Sequence, residues 1–161
     1  MKGLTVGKAA QLLRAAGCER FCIGMGSLPE PLEFDDCHAR WRQQLIGCAE
    51  ASGLAGFSHG RAAKLINVFL KSLYLSDFRC LQDQLGQTPS KIDAMHPPID
   101  RVLLSELKRH GPPGLKAAIR TCGNTNWTTM DSESYQHLID AIKAETAGRL
   151  WMIESYWQGH Q

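Results

Sequence analysis

No stretch of this chain stays apolar for the roughly twenty residues that a bilayer-spanning helix needs. Its first residues also lack the hydrophobic core of a secretory signal. The expectation is a soluble, cytoplasmic protein with no membrane partner. Sustained alternation of apolar and polar residues is missing as well, which speaks against a sheet-based fold. The nearest approach to a phosphate-binding loop is Gly24-Met25-Gly26, with no strand pattern before it and no helix pattern after it. Cysteine and histidine are not scarce, at six each. Yet there is no Cys-x-x-Cys, no His-x-x-x-His and no four-cysteine cluster; only Cys18 and Cys22 lie one turn apart. The usual structural-metal patterns are thereby excluded, and neither a metal nor a cofactor is expected. Cys18, Cys22, Cys37, Cys48, Cys80 and Cys122 form no dense disulfide framework, so reduced thiols serving as small apolar groups are the expectation. An excess of one charge is lacking too: 18 basic residues face 16 acidic ones, a formal net charge of +2. That balance permits a nucleic-acid partner without requiring one.

What the chain does have is helical periodicity. With 161 residues and a 43% hydrophobic content, it is expected to fold as a single helical domain spanning residues 1–161. Apolar spacing predicts helices over residues 2–16, ended by Gly17, over 32–52, and over 58–74 with Ser58 as N-cap. The breakers Gly24, Gly26, Pro29 and Pro31 predict a loop over 18–31, from which Phe21, Ile23, Met25 and Leu28 can reach a core or a cleft. A polar connection over 76–93 has room for a short helix near Phe78 to Leu85. Pro98 to Asp100 then opens a helix that reaches His110, where Gly111-Pro112-Pro113-Gly114 ends it. Shorter helical segments are predicted over 115–121 and from Trp127 onward, with Tyr135, Leu138, Ile139 and Ile142 on one face and a kink near Gly148. The class is all-α, with about seven helices of modest length.

The helix over 58–74 carries the clearest asymmetry. Ala63, Ile66, Phe69, Leu70, Leu73 and Tyr74 fall on one arc, while Gly60, Lys64, Asn67 and Lys71 share the other. Gly60 leaves room for something to approach, and the lysines and asparagine read as a donor strip suited to phosphates. Asp100 sits where an acid caps a helix and meets the positive end of its dipole. The ordinary readings are a solvated lysine and a capping aspartate; together they form an amine and a carboxylate that a fold can bring into one cleft.

The order of these parts resembles the helix-hairpin-helix superfamily of DNA glycosylases, the group of endonuclease III and the 8-oxoguanine glycosylases. In that family a helix, a glycine-containing hairpin and a lysine-bearing helix precede a segment whose aspartate opens the next helix. The matching pieces here are Leu54-Ala55-Gly56-Phe57-Ser58, Gly60-Arg61-Ala62-Ala63-Lys64 and Pro98-Ile99-Asp100, and the resemblance covers about residues 40 to 108. Lys64 lies about one turn further from the hairpin than is usual, and its separation from Asp100 is longer than in endonuclease III. Both features are similar to the divergent archaeal 8-oxoguanine glycosylase branch, and the iron–sulfur cysteine cluster of endonuclease III is absent.

The resemblance implies an all-helical fold with a cleft between helical layers. The hairpin would grip the backbone of double-stranded DNA with Gly56, Ser58, Gly60, Arg61 and Lys71, and a damaged or modified base would be flipped into the cleft. Lys64 and Asp100 would be catalytic. Trp41, Phe57, His96, Trp127, Trp151 and Trp157 would be stacking or wedge candidates, each with core packing as the ordinary alternative. A monomer acting in base-excision repair, or against modified phage DNA, is implied; which base is removed stays open. Two other readings use the same residues. One is a non-catalytic DNA-binding module built on the hairpin and the Arg61, Lys64 and Lys71 strip. The other is a helical interaction subunit with Trp151, Tyr156 and Trp157 as its contact.

Overall fold

The first helix starts at Thr5, whose hydroxyl accepts the Lys8 N–H at 3.3 Å, and runs Val6–Ala15 (α1). Gly17, at φ 72°, adopts the left-handed conformation that ends it. The structure, a computed structural model, describes residues 4–74, 91–123 and 126–157. The expected connection over 76–93 and its short helix thus fall mostly outside the described residues, as does Cys80. Among those described, every regular element is helical and there is no strand. The elements are α1, α2 (Phe34–Ala51), α3 (His59–Tyr74), α4 (Arg101–His110), α5 (Pro113–Thr121) and α6 (Ser132–Thr146). No described helix is long and apolar enough to cross a membrane.

Between α1 and α2 the expected loop is wound into short 3₁₀ turns at Cys18–Ile23, Met25–Ser27 and Pro31–Glu33. Three residues per turn suits a segment too broken by glycine and proline for an α-helix. It places Phe21 and Leu28 in the core but leaves Ile23 exposed. The expected kink near Gly148 is a full break, with Ala147 and Gly148 both at positive φ. The chain then resumes as a 3₁₀ helix over Leu150–Tyr156.

Two apolar clusters form the interior. The first joins Leu12, Phe21, Phe34, Trp41, Leu45 and Met95 to Ala62, Ile66 and Leu70 of α3. The second joins Leu103, Leu104, Leu107, Leu115, Ile119, Leu138, Ile142 and Ile153 to Ala63 of α3. α3 therefore contributes to both clusters, and buried polar side chains from α2, α3, α6 and the 96–97 segment lie against them. His38, Arg42, Asn67 and His96 are all buried, as is Tyr135. The lysine-bearing helix is consequently covered on much of the arc expected to be solvated, because the 96–97 and 127–130 segments pack against it.

Candidate functional site

Lys64 and Asp100 are 36 positions apart in the chain and meet in space: Lys64 Nζ donates to Asp100 Oδ2 at 3.1 Å. Asp100 divides its carboxylate between two tasks. As N-cap of α4 it accepts the Leu103 N–H on Oδ1 at 2.9 Å, which leaves Oδ2 turned to the lysine. Capping fixes the rotamer and places the negative charge at the positive end of the helix. Both side chains keep a path to solvent, with 30% and 21% of their surfaces exposed. The capping role and the ion pair thus coexist, one on each oxygen.

The Lys64 ammonium also lies 4.7 Å from the centre of the Trp127 ring. Cation and aromatic face attract through the ring quadrupole. Trp127 reaches this place because its segment is laced to the start of α3. The Gly60 N–H donates to Met130 O at 3.1 Å, and Ser58 Oγ donates to Thr128 O at 2.7 Å. A Cβ on Gly60 would lie 1.9 Å from the Trp127 carbonyl oxygen. The space left by Gly60 is therefore filled by the chain's own backbone, and neither that glycine nor its N–H is available to a phosphate. Ser58 does act as the N-cap, accepting the Arg61 N–H at 3.2 Å.

Leu4, Phe57, Arg61, Lys64, Leu65, Val68, Trp127 and Thr128 line an open cleft of about 350 Å³. Its walls are mainly apolar, with Lys64 and Arg61 supplying the charge; its size is that of a small-molecule site. Arg61 Nη1 donates to Gly56 O at 2.5 Å, closing the exposed turn between α2 and α3 on itself. In that turn Gly53 and Gly56 both have positive φ, and the Leu54 N–H returns to Ala49 O at 2.9 Å.

Other expected site residues are placed elsewhere. Lys71 pairs with Glu154 and lies 5.1 Å from the Trp157 ring centre, so the C-terminal segment neutralises it. Trp41 is buried against Phe21 and Phe34, at ring separations of 4.7 and 5.7 Å, and His96 is buried beside Tyr135. Neither reaches the surface to wedge or stack. Trp151 is exposed, with its indole N–H on Asp93 Oδ1 at 2.8 Å, and does not line the cleft. Phe57 is almost fully buried but lends an edge to the cleft wall. Trp127 is thus the wedge candidate that the fold brings to Lys64.

Asn67, suggested by the sequence as a phosphate donor, and His96, suggested as a stacking or wedge residue, are instead joined with His38, Arg42, Tyr135 and Asp35 in a buried polar group that the sequence did not show. Asn67 Nδ2 donates to Pro97 O at 2.8 Å and to Tyr135 Oη at 3.0 Å. His38 Nε2 lies 2.7 Å from Asn67 Oδ1, and Arg42 Nη1 lies 2.8 Å from His38 Nδ1. His96 joins Tyr135 Oη and Asp35 Oδ1, both at 3.1 Å. Asp35 also accepts from Gln136 at 2.6 Å and Lys143 at 2.5 Å. Burial holds both histidines below their ordinary range, His38 furthest because His96 and Arg42 add to it. Burial alone would raise Asp35; its bonds to His96 and Lys143 outweigh that and hold the carboxyl well below the usual range. A mid-helix asparagine, a poor helix former, was the one signal available from the sequence.

Compared with known proteins, the chain matches no family model, no curated protein and no solved structure.

Proposed function

We propose that the chain is a DNA glycosylase: it flips a damaged or modified base out of duplex DNA and cleaves its N-glycosidic bond. The observation that carries this reading is the 3.1 Å Lys64–Asp100 pair at the edge of an apolar cleft that Trp127 helps to form. An exposed ion pair would gain little stability. A partly buried pair that keeps one carboxylate oxygen for an amine is suited to proton transfer and to opposing positive charge.

In the proposed reaction the bond between sugar C1′ and the base nitrogen breaks, and its electron pair leaves with the base. Positive charge builds at C1′ and the ring oxygen, where Asp100 opposes it. Lys64 gives one proton to Asp100, which passes it to the departing base nitrogen and, ionised again, faces the positive charge, while the Lys64 lone pair bonds to C1′. The second amine proton then moves through Asp100 to the ring oxygen as the sugar ring opens, giving a protonated Schiff base that permits strand cleavage. If water is the nucleophile instead, it loses its proton to Asp100 and the product is an abasic site. Trp127 offers a face on which the extruded base can stack, and the turn at Gly56 with Arg61 offers contacts to the phosphate backbone.

The test is incubation with a panel of duplexes carrying oxidised purines or modified pyrimidines, together with phage DNAs containing hypermodified bases. Heat or alkali then reveals abasic sites. Excision of any member, abolished by Asp100→Asn, supports the reading. Salt-sensitive duplex binding with no excision across the panel would replace it with the non-catalytic DNA-binding module.

A further inference from the structure

Asn67 stands one turn after Lys64 on α3, and Pro97 stands three residues before Asp100. The hydrogen bond from Asn67 Nδ2 to Pro97 O, at 2.8 Å, therefore ties the helix carrying the lysine to the segment delivering the aspartate. Around that bond every proton can be assigned. The Pro97 carbonyl only accepts, so the nitrogen end of the Asn67 amide must face it. Asn67 Oδ1 then accepts, which puts the His38 proton on Nε2 and leaves Nδ1 bare for the Arg42 N–H. The second Asn67 N–H goes to Tyr135 Oη, whose own proton goes to His96 Nδ1; His96 Nε2–H donates to Asp35. All donors thus run in one direction from Arg42 to Asp35. Turning the Asn67 amide over would set donor against donor at His38 and leave buried groups unpaired.

The segment this amide grips is also unusually stiff. Pro97 and Pro98 both have φ held near the proline value, so a displacement at Pro97 reaches Asp100 with little slack. Ile99, buried in the second cluster, resists lifting of the segment, but apolar burial is non-directional. The Asn67 bond supplies direction.

We propose that Asn67 is the positioning residue of the Lys64–Asp100 pair, setting the reach of Oδ2 to Nζ through the Pro97 carbonyl. Its effect on excision rests on the glycosylase reading; its effect on the pair's geometry does not.

The experiment compares Asn67→Leu, similar in size but without a donor, with Tyr135→Phe, which breaks the same buried group and leaves the Pro97 bond in place. Lysines are reductively methylated with ¹³C, and the Lys64 methyl resonance is assigned by its loss in Lys64→Arg and by its displacement in Asp100→Asn. Asn67→Leu should displace that resonance in the direction Asp100→Asn does, and Tyr135→Phe should leave it in place. In single-turnover excision, Asn67→Leu should be slower by about tenfold to a hundredfold at unchanged duplex Kd. Tyr135→Phe should stay close to the wild-type rate. If Asn67→Leu does not fold, Asn67→Ser, whose hydroxyl is too short to reach Pro97, takes its place in both measurements. A wild-type Lys64 resonance in the Asn67 variant overturns the proposal, as do equal rate losses in the two variants. A displaced resonance in a chain that excises nothing supports the positioning and overturns the glycosylase reading instead.

Discussion

Lys64 and Asp100 share one oxygen of a carboxylate whose other oxygen is committed to the helix it starts. The Oδ2 to Nζ distance is 3.1 Å and the Oδ1 to Leu103 N distance is 2.9 Å. The cap pre-orients the acid, so Oδ2 meets the amine with little further ordering. Asp100→Asn tests this division directly. An asparagine caps about as well as an aspartate, so thermal stability should change by less than about 1 kcal/mol, while the excision proposed above should fall by roughly a hundredfold or more. Full excision by the variant would show that the carboxylate serves only the cap.

Gly60→Ala should displace Trp127. The new Cβ would meet the Trp127 carbonyl oxygen at 1.9 Å, and backbone cannot yield as a flexible side chain can. The expected cost is about 1–3 kcal/mol, read in a denaturant melt. A ¹³C-methylated Lys64 should also lose the ring-current shift of the indole now 4.7 Å away. A melt and a shift like those of the wild type would show that the 127–130 segment can move aside.

Stability should fall as pH drops below about 6.5. His38 and His96 have folded-state values below their ordinary one, so under mildly acidic conditions the unfolded chain binds more protons than the folded one. Each pH unit in that window costs up to about 1.4 kcal/mol per histidine. Folding lowers the proton affinity of Asp35 as well, in the same direction but in a lower window: its contribution is intact above the ordinary carboxylate value and lost only in stronger acid. Melting curves between pH 7.5 and 5 should therefore decline, and His38→Gln should flatten them. A flat wild-type profile would contradict neutral, buried histidines.

Glu154→Gln should strengthen non-specific DNA binding if α3 faces a phosphate backbone. Lys71 is paired with Glu154, and removing the acid frees one cation. The slope of log affinity against log salt should steepen by up to about one unit, and stability should change by about 1 kcal/mol at most. Lys71→Ala should weaken binding without regard to the base. An unchanged slope in Glu154→Gln would remove Lys71 from the interface.

The helices and their ends were readable because capping and periodicity are local. Asp100 as a cap, Ser58 as a cap and Gly17 as a stop each depend on neighbours a few residues away. The pairing of Lys64 with Asp100 came only from the resemblance; nothing in their spacing dictates it. Periodicity also misled at Asn67 and Gly60. It reports which residues share a face, whereas burial depends on what packs there, and the partners are Pro97, Tyr135 and the 127–130 backbone. Lys71 reads in the sequence as a donor to phosphates because Glu154, 83 positions away, leaves no trace in its neighbourhood. The buried hydrogen bonding of His38, Arg42 and His96 was unreadable for the same reason, since buried polar groups are satisfied by partners that only the fold brings together.

α3 contributes Ala62, Ile66 and Leu70 to one apolar cluster and Ala63 to the other. Neither half of the molecule can loosen without exposing part of this helix, so both should melt in a single transition. The amide protons of α3 should then exchange with solvent only through complete unfolding, more slowly than those of α1. Lys64 rides on the last element to come apart, so heat or denaturant should abolish the site and the fold at the same midpoint.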